Sequence, residues 1–451
     1  MRVDPSRSDG RDKGTVYSVG VVSLGCSKNR VDTELMLDIL RKAGYRITAD
    51  EREADILIVN TCGFIEPAKQ ESIDTLLSLA RYKQEGHLKL LAATGCLTQR
   101  YERAILEEMP EVDLVLGVSQ YPMLPRAIEE ALSGGRPSYC APDASVLCGG
   151  RVLTTPPYMA YVRIADGCDN RCAYCAIPLI RGGFRSRSME SVLGEIRALA
   201  DQGVREHVLV AQDTSRFGVD THGRSLLPEL MVRAAEIPGV EWLRVLYCYP
   251  DEVEESLLEA MASRPNICRY LDLPLQHADP ELLRRMNRRG DIEQTRAFLK
   301  KARDMGFTLR TTFITGFPGE TEEQFERLMA FAEDIRFDRL GAFCYSAEDD
   351  TPAAAMPDQV PEEVKRQRLD RLMTAQQAIS LERNRLRIGR RERVLVESVD
   401  VDGMAVARSA AEAPETDGVI RVSGACEADI GCFVTARITG ADTYDLTGEK
   451  L

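Results

Sequence analysis

Histidine is scarce in this chain of 451 residues: His87, His207, His222 and His277 are all it contains. A zinc site of mixed cysteine and histidine ligands therefore has little to draw on. Long apolar runs are missing too, since none reaches the roughly 18 residues a membrane-spanning helix needs. Residues 1–14 (MRVDPSRSDGRDKG) lack the apolar core of a signal peptide and are expected to form a disordered leader. Positive charge is in deficit. The formal net charge of -13 disfavours a general nucleic-acid binder, although local patches can differ from the total.

Length and cysteine are what the chain does have. With 44% hydrophobic residues, 451 positions suffice for two or three packed domains. Thirteen cysteines in a chain of this size argue for a reducing compartment rather than a disulfide framework, which places the protein in the cytoplasm.

Three of those cysteines carry the chemistry. In Gly167-Cys168-Asp169-Asn170-Arg171-Cys172-Ala173-Tyr174-Cys175 they are separated by three and then two residues. A four-iron cluster held by four thiolates relays electrons, whereas one held by three keeps an open iron that can bind a small molecule. S-adenosylmethionine is the ligand such sites usually take, and an electron passed into its sulfonium starts radical chemistry. A structural zinc knuckle with its fourth ligand elsewhere is the bland alternative.

Residues 15–140 alternate strand and helix patterns. Short β-rich apolar runs at 16–24, 55–60 and 89–93 are separated by amphipathic stretches such as 32–42 and 67–81, which predicts a parallel sheet covered by helices. Cys26, Cys62 and Cys96 each follow one of these runs, and each has a glycine beside it. Ligands bind at the carboxyl ends of parallel strands, so the three thiols are candidates for a second three-thiolate site; buried structural cysteine is the alternative for any one of them. Cys140, Cys148, Cys248, Cys268, Cys344, Cys426 and Cys432 show no ligand spacing and read as small hydrophobic residues.

After a linker at 141–154, residues 155–385 offer six strand candidates, at 159–165, 207–211, 242–247, 270–275, 308–315 and 339–345. Six units fall short of the eight that close a full barrel, so a partial, open (β/α)6 barrel is expected, with chemistry at the carboxyl ends of its strands. The cysteine motif begins where the first strand ends. Gln212 follows the second strand and Gln276 the fourth, while Gly316, Pro318 and Gly319 follow the fifth in a turn before a helix capped near Thr321. That glycine-rich turn is either a seat for the adenosine of a cofactor or an ordinary helix entry. Tyr174 either lies along the cofactor or is a packed aromatic.

From 386 onward, short strand-prone runs at 393–399, 404–408, 419–422 and 433–438 predict a small antiparallel β-barrel. The stretch holding Arg383, Arg385, Arg387, Arg390, Arg391 and Arg393 reads as a solvated connecting helix. Beyond 394, four basic residues face eleven acidic ones, so the barrel is near -7 and should prefer a basic protein to RNA.

The six cysteines in this order, with Cys175-Ala176-Ile177-Pro178, Ala211-Gln212-Asp213-Thr214 and Pro274-Leu275-Gln276-His277, carry a resemblance that covers about 15–451. The chain resembles the methylthiotransferases of the radical S-adenosylmethionine superfamily, and within them the RimO-type branch that modifies an aspartate of a small-subunit ribosomal protein. That resemblance implies an α/β protein with a parallel α/β domain, a partial barrel of radical type and a C-terminal TRAM barrel. It also implies two 4Fe-4S clusters, on Cys168, Cys172 and Cys175 and on Cys26, Cys62 and Cys96; by their positions in the motif and at the strand ends, Tyr174, Gln212, Gln276, Gly316, Pro318 and Gly319 are the candidates to meet S-adenosylmethionine. A radical derived from the cofactor would activate the β-carbon of the aspartate, sulfur would arrive at the second cluster, and a second S-adenosylmethionine would supply the methyl group. No protein acid or base is required. An external electron donor, a sulfide or persulfide source, a basic ribosomal protein as substrate, no membrane and a monomer complete the expectation. The MiaB-type tRNA enzyme of the same family, and an electron carrier without catalysis, are the competing readings.

Overall fold

The computed structural model describes residues 16–141 and 146–451, so the expected leader and part of the 141–154 linker lie outside the described residues. It divides into two compact units, 1–152 and 153–451. Among the described residues no helix is long and apolar enough to cross a membrane.

The first unit is built on β1 (Ser18–Ser23), β2 (Arg46–Ile47), β3 (Ile56–Thr61), β4 (Leu90–Gly95), β5 (Leu114–Leu116) and β6 (Ser138–Tyr139). They form one sheet in the order β2-β1-β3-β4-β5-β6, with every pairing parallel. Alternate residues enter opposite cores. Leu57, Val59, Leu91, Ala93 and Val115 pack on one face, and Ile56, Ile58, Leu90, Ala92 and Leu114 on the other. Burial on both faces explains why β3 and β4 read as continuous apolar runs rather than alternating ones. The sequence reading has β1, β3 and β4 but not β2, β5 or β6, which at two or three residues are too short to show a period.

The second unit opens with the six expected strands: β7 (Met159–Arg163), β10 (Glu206–Val210), β11 (Trp242–Val245), β12 (Tyr270–Asp272), β13 (Thr308–Thr315) and β14 (Arg339–Cys344). A short hairpin, β8 (Ala165–Asp166) with β9 (Arg185–Ser186), follows β7. The six form two parallel sheets, β11-β10-β7 and β12-β13-β14, joined by the single bridge Leu243–Ile267. The ladder breaks at a buried carboxylate. Asp272 accepts from the backbone N–H of Tyr247 at 2.8 Å and from Arg310 at 3.2 Å, so a side chain takes over part of what main chain would satisfy.

The chain ends in a closed barrel of β15 (Arg391–Val399), β16 (Ala405–Ser409), β17 (Ile420–Ser423), β18 (Phe433–Ala441) and β19 (Leu446–Lys450), in the order β15-β16-β17-β19-β18. The expected antiparallel pairing holds at every seam but one. An odd number of strands cannot alternate direction around a closed ring, and the mismatch falls at the parallel pair β17–β19. The connecting segment corrects the sequence reading as well. Its helix stops at Arg385, and Arg391 and Arg393 belong to β15. Arg383 pairs with Asp338 at 2.8 Å, Arg387 with Glu392 at 2.6 Å and with Glu412, and Arg393 with Glu241 at 2.5 Å, so these arginines are tied down rather than solvated.

The barrel sits against the amino ends of the central strands. Glu206, first in β10, is fully buried and accepts from Arg244 at 3.0 Å and from Arg408 of β16 at 2.6 Å. Tyr270, first in β12, donates to Asp417 at 2.6 Å, and Arg339, first in β14, pairs with Glu412 at 2.8 Å. Trp242, first in β11, meets Phe433 edge-on at 4.7 Å. Glu412, Glu415 and Asp417 are thus turned onto the unit's own partners, Glu415 through Tyr161 at 2.9 Å. The barrel's acidic surplus is therefore partly spent internally, which reduces what it can offer a basic partner. Burial disfavours the charged form of Glu206, but Arg408 and Arg244 outweigh it and hold its carboxyl below the usual range. Glu412 is lowered in the same way by Arg387 and Arg339.

Replacing Glu206→Gln strands two buried guanidinium groups and should cost about 3–5 kcal/mol, read as a lower denaturant midpoint. Because both carboxyls are depressed, their contribution is complete above about pH 4.3 and is lost only as pH falls through the lower folded-state values. An acid titration of Trp242 fluorescence should therefore stay flat through the ordinary carboxylate range.

Candidate iron–sulfur and S-adenosylmethionine site

The cysteine loop occupies the turn between β8 and β9, just past the carboxyl end of β7. Gly167 has φ +77°, and a Cβ there would lie 2.0 Å from the Gly183 carbonyl oxygen, so the tight turn into Cys168 admits only glycine. Cys168 N–H donates to the Gly182 carbonyl at 3.1 Å and Cys175 N–H to the Cys172 carbonyl at 3.0 Å, which fixes the path of the loop at both ends of the motif. Burial pushes the Cys168 thiol up to about 11 and the Cys175 thiol higher still, with the neighbouring Cys172 adding to both. Loading iron there must expel protons.

Side chains from other strand ends hold this loop. Asn170 donates to Asp213 at 2.8 Å and accepts from Arg289 at 2.9 Å. Asp213, almost fully buried, also accepts from Ser215 N–H at 3.1 Å, and burial raises its pKa. Ser215 in turn accepts from Tyr249 N–H at 3.1 Å, so the ends of β10 and β11 are stitched to the cysteine loop.

The cofactor candidates divide. Gln212, at the end of β10, has both amide atoms buried and without a hydrogen-bond partner. A buried, unsatisfied amide carries a free-energy penalty that a polar ligand would remove, so Gln212 is the candidate best placed to meet one. Tyr174 does not stand free: its hydroxyl accepts from Arg288 at 3.1 Å. Gln276 has φ +69° and bridges to Phe313 through main chain. Gly316 and Pro318 are buried, and a Cβ on Gly316 would lie 2.2 Å from Cγ of Lys365. A Cβ on Gly319 would lie 2.1 Å from a guanidinium nitrogen of Arg285. Packing alone thus accounts for both glycines, and the following helix Glu322–Ile335 begins with a capping box at Thr321 and Gln324 as expected. Glu320 holds the turn down through His277 at 3.1 Å and Arg368 at 3.1 Å.

In the first unit β1, β3 and β4 are neighbours, so the residues after them meet on one edge. Cys26 is the N-cap of the helix Ser27–Lys42, and Cys96 opens the helix Cys96–Glu108 directly from β4. Helix N-termini favour thiolates over thiols. A Cβ on Gly25 would lie 2.9 Å from that of Cys62, and one on Gly63 would lie 2.9 Å from the Cys96 carbonyl carbon, so the three loops touch. Asn29, fully buried, ties them together: its amide donates to the Leu24 carbonyl at 3.1 Å and the Thr61 carbonyl at 3.0 Å, and its oxygen accepts from Cys96 at 3.5 Å.

Among the described residues no three ligating side chains are closed around a point. An all-thiol donor set on two such loop clusters fits iron–sulfur chemistry and suits hard oxygen-seeking metals poorly. None of the thirteen cysteines is in a disulfide. Burial pushes the Cys140 and Cys248 thiols each up to about 12.

Three family models match along the chain: Uncharacterized protein family UPF0004 at residues 18–117, the Radical SAM superfamily at 162–332 and the TRAM domain at 388–450. A ribosomal protein uS12 methylthiotransferase RimO of Heliobacterium modesticaldum is 49% identical over 96% of this chain and 95% of its own length. The RimO proteins of Desulforamulus reducens and Geobacter sulfurreducens are each 48% identical over 96% of this chain, covering 99% and 98% of theirs. The chain belongs to the RimO family of radical S-adenosylmethionine methylthiotransferases. It is an enzyme of that class, with iron–sulfur and S-adenosylmethionine as its cofactors. Among solved structures, the radical S-adenosylmethionine methyltransferase TsrM of Kitasatospora setae is similar with a TM-score of 0.54 at 15% identity, covering 86% of this chain and 79% of that one. The cobalamin-dependent radical enzyme OxsB is similar with a TM-score of 0.50 at 14% identity, covering 81% and 56%. These share the fold.

Sequence reasoning passed over Asn29 and Arg288, and named Asp213 only within the Ala211-Gln212-Asp213-Thr214 motif without a role at the site. Asn29 lies three residues past Cys26 and Asp213 beside Gln212, so proximity to a candidate was the available signal; for Arg288, 113 positions past Cys175, there was none. Asn29→Ala should lower iron uptake at the Cys26, Cys62 and Cys96 loops while leaving the Cys168 loop loaded, measured as iron per chain in a Cys172→Ala background and in the parent.

Proposed function

We propose that this enzyme adds a methylthio group to the β-carbon of an aspartate in ribosomal protein uS12, with one 4Fe-4S cluster on Cys168, Cys172 and Cys175 and a second on Cys26, Cys62 and Cys96. The observation that carries the substrate is near-full-length similarity, at 48–49% identity, to proteins named for that activity. Two groups of three thiols support the pair of clusters, because each leaves one iron without a protein ligand. When bound at such an iron and reduced by one electron, S-adenosylmethionine supplies a carbon radical able to take hydrogen from an unactivated C–H bond.

The chain's own residues bind and orient. Cys168, Cys172 and Cys175 hold the first cluster at the end of β7, and Asn170, fixed between Asp213 and Arg289, keeps their loop from shifting. The buried, unpartnered amide of Gln212 would meet a polar group of the cofactor. Cys26, Cys62 and Cys96 would hold the second cluster, which would supply the sulfur chemistry from a sulfide or persulfide source; the methyl group would come from a second S-adenosylmethionine and the electrons from an external donor. No side chain is needed as acid or base. The enzyme works as a monomer in the cytoplasm.

Cys172→Ala should abolish cleavage of S-adenosylmethionine by the reduced, reconstituted enzyme, whereas Cys62→Ala should keep cleavage and lose methylthiolation. Equal loss of cleavage in both would remove the division of labour. Offering uS12 and isopentenyladenosine-modified tRNA side by side, mass spectrometry should find the methylthio gain on an aspartate of the protein; gain on the tRNA instead would overturn the substrate.

A further inference from the structure

Four consecutive residues far along the chain grip the cysteine loop almost residue by residue. The Met286 carbonyl accepts from Ala173 N–H at 2.8 Å. The Asn287 amide donates to the Arg171 carbonyl at 2.8 Å, with Asn287 at φ +53° to make the turn. Arg289 donates to the Asn170 side chain at 2.9 Å. Between them Arg288 reaches the centre of the loop: one guanidinium nitrogen lies 3.7 Å from Sγ of Cys172 and 3.1 Å from the Tyr174 hydroxyl, and the other donates to the Pro274 carbonyl at 2.6 Å. Its guanidinium carbon sits 4.3 Å from the centre of the Tyr249 ring.

Every one of those partners is formally neutral in the cluster-free chain. Arg288 is 9% exposed and makes no ion pair with a carboxylate among the described residues. Asp251, which feels its charge, is already held by Arg289 at 3.1 Å. A guanidinium is always charged, and burying such a charge without an opposite one costs several kcal/mol. The fold accepts that cost at one place, beside a thiol that becomes an anionic ligand when iron is bound. A hydrogen bond from a cation to a cluster sulfur stabilises the reduced cluster more than the oxidised one, because reduction adds negative charge.

We propose that Arg288 is the positioning and counter-charge residue of the radical cluster: it supplies the positive charge that Cys172 and its cluster require, and so raises that cluster's reduction potential into the reach of the electron donor. The proposal rests on assigning this cluster to Cys168, Cys172 and Cys175. The Tyr249 ring and the Tyr174 hydroxyl hold the guanidinium in place, which gives Tyr174 a supporting role in the charge arrangement rather than a direct one on the cofactor.

The test is a potentiometric titration of the anaerobically reconstituted full chain, followed by electron paramagnetic resonance. In a Cys62→Ala background, which removes a ligand of the second cluster, the signal that added S-adenosylmethionine perturbs is that of the radical cluster. For Arg288→Gln the midpoint of that signal should move to lower potential, leaving about tenfold less reduced cluster at a fixed potential. Arg288→Lys, which keeps the charge, should stay near the parent, and the second cluster should be unmoved in both. An unchanged midpoint in Arg288→Gln at normal iron content would overturn the proposal. If Arg288→Gln takes up no iron at the loop, Arg288→Lys decides: a potential near the parent supports the charge role, and a lowered one overturns it. Cys172→Ala separates the two levels, since survival of the perturbed signal in that variant would sink the cluster assignment itself, whereas its loss alongside an unmoved Arg288→Gln sinks only the role of Arg288.

Discussion

Parallel strand pairing is the constraint on which the rest of this structure depends. Strands that run the same way end on the same edge, so whatever follows each of them is delivered to one place, however far apart the residues lie in sequence. In the first unit this gathers the loops of Cys26, Cys62 and Cys96 after three adjacent strands. In the second it lines up the Cys168 loop with Gln212, Gln276 and Gly316. Both sites follow from one rule of pairing, applied to three parallel sheets.

The opposite ends of the central strands are given over to holding the terminal barrel. Glu206, Trp242, Tyr270 and Arg339 each begin a strand, and each meets the barrel. Buried ions such as Glu206 with Arg244 and Arg408 add little net stability, because desolvation offsets their attraction, but a wrong docking angle would leave charges unpaired. The contacts therefore specify orientation more than they add strength. They also consume carboxylates that would otherwise face a partner.

Around the radical loop the fold uses hydrogen bonds where it needs rigidity and charge where it needs redox control. Asn170 is held from both sides by polar groups, while Cys168 and Cys175 are pushed toward the protonated thiol by burial. Arg288 works against that trend, since a buried cation beside sulfur favours the thiolate. Asn29 plays the neutral version of the same part in the first unit, clamping three loops with one amide and no charge.

The chain by itself determined which thiols are candidate ligands and the order of the first sheet, the central strands and the terminal barrel. Cysteine spacing, the glycines beside Cys26, Cys62 and Cys96, and apolar runs of five residues or more are local signals, and they gave the two thiol groups, the central strands and the barrel. Short strands such as β2, β5 and β6 carry no period and were invisible. Tertiary structure alone decided that Arg383, Arg387 and Arg393 are tied down, that β17 and β19 run parallel, and that Glu412, Glu415 and Asp417 are turned onto partners in the same unit. It alone brought Arg288 to Cys172 and Asn29 to Cys96. Pairing partners distant in sequence leave no mark on local composition, because a hydrogen bond depends on where the backbone places two groups and not on how far apart they were coded.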